Sequence, residues 1–284
     1  LSQTLTKLVS LVSTSIYIHL DGEVSEEPAR TWNRECKKII YEMSRRDEKV
    51  KVKFNVSNLG GQMGVLNAID WFFDNEKLGI ILEEDIDFES GIFDFFTQYK
   101  SKLDDTSLFA LCFFNPIKGK NSDFILNHWV PWGWATSSRN WYSIRDHLTG
   151  PEIRVTKKGE SGPCTRFAVR KYLNDILKKV DLGSVSTWDA QVHAQLLNTA
   201  RISLFPSQSL TKHVGNVVGA THADLKDWWN EIKVNPYRNC PLQIDLEKDN
   251  LVFEKIWRMS LLAHLSDTFH IAVKRLIACS RKHR

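Results

Sequence analysis

The feature that most constrains the fold is a regular alternation of helical and strand patterns in the first part of the chain. A helical spacing of apolar residues precedes the β-rich segment at 15–19, and another helical stretch separates that segment from the alternating residues 50–54. A third helical pattern at 62–73 leads into a short apolar run at 78–82. Strands that alternate with helices in this way predict an α/β fold.

The pattern is less regular in the second half of the chain. We expect helices at 93–103, 167–180 and 190–197, strands at 107–114 and 202–205, and an exposed loop at 150–165. Four tryptophans cluster around the loop Pro131-Trp132-Gly133-Trp134. The sequence as a whole predicts one domain over residues 1–245, followed by a basic amphipathic helical extension over residues 246–284.

Composition excludes several classes of protein. The chain has 284 residues, of which 42% are hydrophobic and 25% charged, so it belongs with globular proteins rather than disordered or fibrous ones. The net charge is only +4 and the basic residues are dispersed, which argues against a nucleic-acid partner. The five cysteines are far apart and odd in number, which indicates a reducing, cytoplasmic compartment without a disulfide framework.

The acidic run Glu83-Glu84-Asp85, with Asp87 just beyond it, directly follows the apolar strand at 78–82. Ligands of open α/β folds bind at the carboxyl ends of the strands. Carboxylate oxygens suit Mg²⁺ or Mn²⁺, which need only one or two protein carboxylates and take further ligands from water and substrate phosphates. The run therefore predicts a metal that bridges a diphosphate. The alternative is an acidic turn exposed to solvent.

Several short motifs, in order and spacing, resemble the bacterial nucleotide-diphospho-sugar transferases of the GT-A type. The motifs are Gly60-Gly61-Gln62-Met63-Gly64-Val65, Ala68-Ile69-Asp70-Trp71-Phe72-Phe73, Gly79-Ile80-Ile81-Leu82-Glu83-Glu84-Asp85, Trp132-Gly133-Trp134-Ala135-Thr136 with Arg139 and Trp141, Thr187-Trp188-Asp189-Ala190-Gln191, and Asn216 through Ala220-Thr221-His222. A weaker similarity runs to the Golgi N-acetylglucosaminyltransferase that starts complex N-glycans. Together the motifs cover residues 1–245.

The resemblance implies a Rossmann-like GT-A fold with a mixed central sheet, and a role for each matching residue. Asp85 would hold Mn²⁺ or Mg²⁺ against the donor diphosphate, and Asp87 would share the metal. Asp189 would act as the general base of an inverting transfer. The positions implied to bind the donor are Glu83, Glu84, Gly60, Gly61, Trp134 and His222. In the family the fold begins with a strand, whereas this chain opens in the helix that follows it, so we expect that first strand to be missing.

Each of these roles has a structural alternative. Asp189 precedes a helical run, where aspartate is a common amino-terminal cap. Trp132 and Trp134 would either face a sugar ring or pack in the core. His213 and His222 would either contact metal or phosphate, or be ordinary surface histidines.

The expected reaction is hexosyl or N-acetylhexosaminyl transfer from a nucleotide sugar to a glycan or lipid-linked acceptor, in polysaccharide biosynthesis. The basic tail of the chain predicts a peripheral contact with the inner face of the membrane. A non-catalytic module that binds sugar nucleotides or glycans remains the alternative. A phosphoryl-transfer enzyme is less consistent with the sequence, because a Walker-type loop is absent.

Overall fold

The computed structural model describes residues 2–117, 120–150, 153–156, 167–214, 233–237 and 239–243. The expected extension at 246–284, His222 and most of the expected loop at 150–165 lie outside these residues. The helices are α1 (Ser2–Leu11), α2 (Ala29–Arg46), α3 (Gly60–Phe73), α4 (Gly91–Tyr99), α5 (Ser138–Arg145), α6 (Phe167–Asp181) and α7 (Asp189–Asn198). The strands are β1 (Ile16–Leu20), β2 (Val50–Phe54), β3 (Leu78–Ile81), β4 (Ile86–Phe88), β5 (Leu108–Cys112), β6 (Asp123–Leu126), β7 (Trp134–Ser137), β8 (Ile202–Phe205), β9 (Thr211–His213) and β10 (Leu242–Gln243).

The main sheet of the described residues has six strands in the order β10-β6-β8-β5-β7-β3. Strand β5 runs parallel to β8, whereas β7 is antiparallel to both of its neighbours, β3 and β5. The sheet is therefore mixed, and the expectation of a mixed α/β fold is confirmed. Every residue of β5 is buried, as in a strand that is covered on both faces.

Two further pairs of strands lie apart from the main sheet. Strands β1 and β2 form a parallel pair, and the short strands β4 and β9 form an antiparallel pair. Among the described residues, β1 pairs only with β2 and β3 pairs only with β7, so each has one edge without a partner. Helix α1 connects the two regions, because Leu8 packs against the apolar residues of both.

A cluster of four buried tryptophans fills the core behind the carboxyl end of β3. The ring of Trp134 lies 5.1 Å from Trp129, 6.2 Å from Trp188 and 6.4 Å from Trp141. Aromatic side chains bury large apolar areas and prefer such offset and edge-on contacts. The cluster therefore fixes the position of the segment that carries Trp188 and its neighbour Asp189.

The sequence patterns missed several short elements. Strands β4 and β9 have three residues each, too few for a period of two to be recognised. The expected helix at 93–103 is two elements, α4 and a 3-10 helix at Lys100–Asp104. Trp134, expected in a loop, is the first residue of β7, because pairing with β3 and β5 places it in the sheet.

Candidate functional site

The candidate site begins where β3 ends. The chain turns after Ile81, and the backbone N–H of Ile86 donates to the carbonyl of Glu83 at 3.1 Å, which closes a tight turn around the acidic run. Strand β4 then pairs with β9, with Ile86 opposite His213. This pairing brings together two segments that are distant in sequence.

Asp85 and His213 are in direct contact as a result. Asp85 Oδ2 lies 3.1 Å from His213 Nε2, and both side chains are partly exposed, at 35% and 19%. The backbone N–H of Val214 also donates to the Asp85 carbonyl at 2.7 Å. The ring of Trp132 lies beside the imidazole, with 5.3 Å between ring centroids and 57° between the ring planes. A carboxylate and an imidazole thus face each other next to an aromatic ring.

Asp189 is the first residue of α7, and its carboxylate is held by its own segment. Oδ1 accepts a hydrogen bond from the hydroxyl of Thr187 and another, at 2.9 Å, from the backbone N–H of Ala190. Both hydrogen bonds that Asp189 accepts from described residues go to Oδ1. The amino-terminal cap position itself is occupied by Trp188. Asp189 is therefore the first residue of the helix instead of its cap, and its Oδ1 still accepts from one N–H of the first turn.

Glu83 connects Asp189 with the acidic run. Its half-buried carboxylate accepts a hydrogen bond from the side chain of Trp188, which is the residue before Asp189. Burial, together with the negative charges of Asp85, Asp189 and Glu84, raises the pKa of Glu83 to about 8. These three carboxylates therefore lie close enough to Glu83 for their charges to act on it. Such a concentration of negative charge favours a bound cation.

The glycines at the start of α3 lie beside the segment that leads into α7. Gly60 has a φ of 77°, which suits glycine, and a Cβ atom at Gly60 or Gly61 would lie 3.8 or 3.6 Å from the hydroxyl of Ser186. Asp21 occupies the end of this helix, because its Oδ2 accepts from the N–H groups of Leu59 and Gly60, each at 3.0 Å. Donor binding by Gly60 and Gly61 stays a prediction.

The remaining predicted residues fall in different places. Trp134 is 0% exposed in the tryptophan cluster, which does not fit a direct contact with a sugar ring. Asp87 is exposed and its Oδ1 lies 3.3 Å from Lys7 Nζ on α1. Glu84 is exposed at the turn. His222, the sixth predicted donor contact, lies outside the described residues.

Sequence reasoning did not single out the buried pair His128 and His193. His193 lies one turn after Asp189 on α7, and its Nε2 is 3.3 Å from His128 Nδ1. Burial lowers the pKa of His193 to about 4 even though the charge of Asp189 acts in the opposite direction, and burial also lowers the pKa of His128 well below its usual value. Both rings are therefore neutral near pH 7. The sequence feature that could have pointed to His193 is its position four residues after Asp189, one helical turn away.

The donor atoms around Asp85 are compatible with a divalent cation. Within the described ranges, no group of three or more His, Cys, Asp or Glu side chains is arranged to hold a metal ion. Mg²⁺ and Mn²⁺ do not require one, because they bind through one or two carboxylates together with water and substrate phosphates. A site with Asp85 Oδ2 and His213 Nε2 as protein ligands fits that chemistry.

Comparison with protein-family models and with curated proteins found no match to this chain. Among the helices of the described ranges, none combines the length and hydropathy that crossing a membrane requires.

Proposed function

We propose that this chain is a GT-A-type glycosyltransferase that moves a sugar from a nucleotide-diphosphate donor to an acceptor hydroxyl. The observation that carries the proposal is the meeting of Glu83, Asp85 and Asp189 at the carboxyl end of β3, linked by the hydrogen bond from Trp188 to Glu83. Ligands bind at this edge in α/β sheets. An acidic turn exposed to solvent would not bring together acidic residues from two segments that are distant in sequence.

Asp85 and His213 would hold Mn²⁺ or Mg²⁺. The bound cation would neutralise the charge that develops on the diphosphate leaving group. Trp132, which lies beside His213 and is partly exposed, is better placed than the buried Trp134 to contact a sugar or base. Such a site would supply one carboxylate, one imidazole and one aromatic face to the donor.

Asp189 would act as the general base. Oδ1 is held by Thr187 and Ala190, so Oδ2 is left to accept the proton of the acceptor hydroxyl. The acceptor oxygen forms a bond to the anomeric carbon as the bond to the diphosphate breaks, with inversion of configuration. The proton ends on Asp189. The carbonyl of Trp188 accepts from the N–H of Val192 at 3.4 Å, and the packed ring of Trp188 fixes the start of this helix.

Calorimetry tests the proposal directly. The purified chain is titrated with UDP, GDP, CDP and dTDP, each with and without Mn²⁺. We expect one nucleotide to bind in a metal-dependent manner, and Asp85→Asn to weaken that binding about 10- to 100-fold, because the metal loses a charged ligand. Asp87→Asn is the matched control, since Asp87 is an exposed aspartate paired with Lys7. We expect its affinity to stay within about twofold of the wild type.

Three outcomes would count against the proposal. If no nucleotide binds with or without Mn²⁺, the donor site is absent. If Asp87→Asn weakens binding as much as Asp85→Asn, the assignment of the metal to Asp85 and His213 fails. If nucleotide binds but is never consumed with any acceptor, a non-catalytic binding module explains the site better.

A further inference from the structure

The position of His213 depends on the short link between β8 and β9, residues 206–210. Strand β8 belongs to the main sheet, whereas β9 pairs with β4 and brings His213 to Asp85. All residues of the link except Gln208 are buried. The groups that hold the link therefore also fix the point at which β9 begins.

Asp123 holds the link to the main sheet. It is the first residue of β6 and is 0% exposed. Its Oδ1 accepts a hydrogen bond from the backbone N–H of Ser207 at 2.8 Å. Its Oδ2 lies 2.9 Å from the hydroxyl of Tyr99, at the end of α4, and 3.0 Å from the hydroxyl of Tyr237. A carboxylate is buried at an acceptable cost only among such partners, so these groups fix one another.

Residues 233–237 provide a second hold on the link. The backbone N–H of Asn235 donates to the carbonyl of Ser209 at 3.2 Å. Tyr237 packs edge-on against Phe95 of α4, with 5.5 Å between ring centroids. It also lies so close to Gly91 that a Cβ atom there would be 2.4 Å from the Tyr237 Cβ. The segment is thus packed against α4, and the link is bonded to it.

Hydrogen bonds continue from the link to the candidate site. The hydroxyl of Ser209 accepts from the N–H of Asn115 at 3.0 Å and donates to the carbonyl of Thr211 at 2.9 Å. The hydroxyl of Thr211 donates to the carbonyl of Trp132 at 2.6 Å. Thr211 is the first residue of β9, and the ring of Trp132 lies beside His213. The contacts of the link therefore reach both the strand and the aromatic ring that border the imidazole.

We propose that Asp123 is a positioning residue of the candidate metal site, which holds His213 against Asp85 by way of Ser207 and the link. This inference rests on the proposed function, because it gives Asp123 a part in binding the cation. Strands β4 and β9 have three residues each, and so short a pair is not stable without support from its surroundings. Groups that orient a metal-binding imidazole contribute to metal affinity although they do not touch the metal.

Three variants of the full chain test this route. Asp123→Ala leaves the N–H of Ser207 without its acceptor. Ser209→Ala is a milder change that removes the hydroxyl between Asn115 and Thr211. Asp123→Asn is the conservative variant, because an amide oxygen can keep the bond from Ser207 while the amide N–H groups donate to the tyrosine hydroxyl oxygens.

Two measurements are made on each variant. Calorimetry gives the affinity for UDP, GDP, CDP and dTDP in the presence of Mn²⁺. Amide hydrogen exchange is followed at Val214, whose N–H donates to the Asp85 carbonyl at 2.7 Å. For Asp123→Ala we expect about tenfold weaker nucleotide binding and about tenfold faster exchange at Val214. Ser209→Ala should shift both in the same direction by severalfold, and Asp123→Asn should stay within about twofold of the wild type.

Asn140→Ala is the matched control for loss of a buried polar group. Asn140 is 1% exposed, and its side chain donates to the carbonyls of Leu103 and Leu108 at 3.2 and 2.9 Å. Leu108 begins β5, whereas the link contacts Phe113, just beyond the other end of that strand. Urea unfolding measures the stability that each variant loses. We expect Asn140→Ala to be destabilised while its nucleotide affinity and its exchange at Val214 stay close to those of the wild type.

The inference and the proposed function fail in different ways. The proposed function fails if the wild type itself binds no nucleotide with Mn²⁺. The inference is overturned if the wild type binds and Asp123→Ala binds equally well. It is also overturned if exchange at Val214 is no faster in Asp123→Ala than in Asn140→Ala, since Asp123 would then stabilise the fold without positioning His213.

Discussion

The amino-terminal ends of α3 and α7 each hold an aspartate, but the two carboxylates have different neighbours. At α3, both oxygens of Asp21 accept hydrogen bonds, from the side chain of Asn55 and from the N–H groups of Gly22, Leu59 and Gly60. At α7, Asp189 accepts two, both on Oδ1. Both oxygens of Asp21 are engaged in holding the chain together, whereas Oδ2 of Asp189 accepts no hydrogen bond from the described residues.

If Asp189 is the general base that we propose, the comparison shows how a structural carboxylate differs from a reactive one when both lie at helix ends. Favourable interaction with the helix dipole is common to the two positions and does not separate them. What separates them is the number of donors on each oxygen and the charges nearby. Asp189 lies near Glu83, and Glu83 near Asp85, whereas donors surround Asp21.

The largest effect should come from Asp189→Asn. The amide cannot accept the proton of the acceptor hydroxyl, so we expect sugar transfer to fall about 100- to 10,000-fold. Asparagine keeps an oxygen for Thr187 and Ala190, so the free energy of unfolding should change by less than about 1 kcal/mol. Transfer is measured with sugar derivatives of the nucleotide that calorimetry identifies, and stability by urea unfolding. Unchanged transfer would mean that Asp189 only stabilises its helix, as Asp21 does.

The next effect should come from Asp21→Ala. Removing the carboxylate leaves Asn55 and the N–H groups of Leu59 and Gly60 without their acceptor, so we expect unfolding to become easier by about 1.5 to 3 kcal/mol. Urea unfolding of this variant beside Asp189→Asn provides the comparison. Equal losses of stability in the two variants would remove the distinction between the two helix ends.

The sequence predicted the part of the site that depends on local pattern. An apolar run followed by acidic residues was enough to place Glu83 and Asp85 at the end of a strand. It could not predict that His213 contacts Asp85, because that contact depends on pairing between two three-residue strands that are distant in sequence. For the same reason Trp134 was expected at the site, whereas strand pairing buries it and leaves Trp132 beside His213.

No pattern in the sequence indicated the role of Asp21. The carboxylate reaches a helix that begins well beyond β2, and only the parallel pairing of β1 with β2 brings the two together. Local patterns therefore identify elements and acidic runs. Contacts that decide whether an aspartate is structural or reactive arise from tertiary structure.

The smallest effect is a pH dependence that belongs to Asp21. Burial raises its pKa, but the hydrogen bonds from Asn55, Leu59, Gly22 and Gly60 together lower it below the ordinary value of 3.8. A carboxyl whose pKa is lower in the folded state than in the unfolded state stabilises the fold above the unfolded pKa, and that contribution is lost as pH falls through the folded pKa. In Asp21→Asn the position no longer titrates.

We therefore expect the difference in unfolding free energy between wild type and Asp21→Asn to stay constant above about pH 4 and to shrink below it. The measurement is urea unfolding of both proteins from neutral pH downward. Glu83, whose raised pKa acts with the opposite sign at higher pH, is present in both proteins and cancels in the difference. A difference that stays constant down to the lowest pH at which the protein folds would show that these hydrogen bonds do not favour the charged carboxylate, and the contrast with Asp189 would then rest on geometry alone.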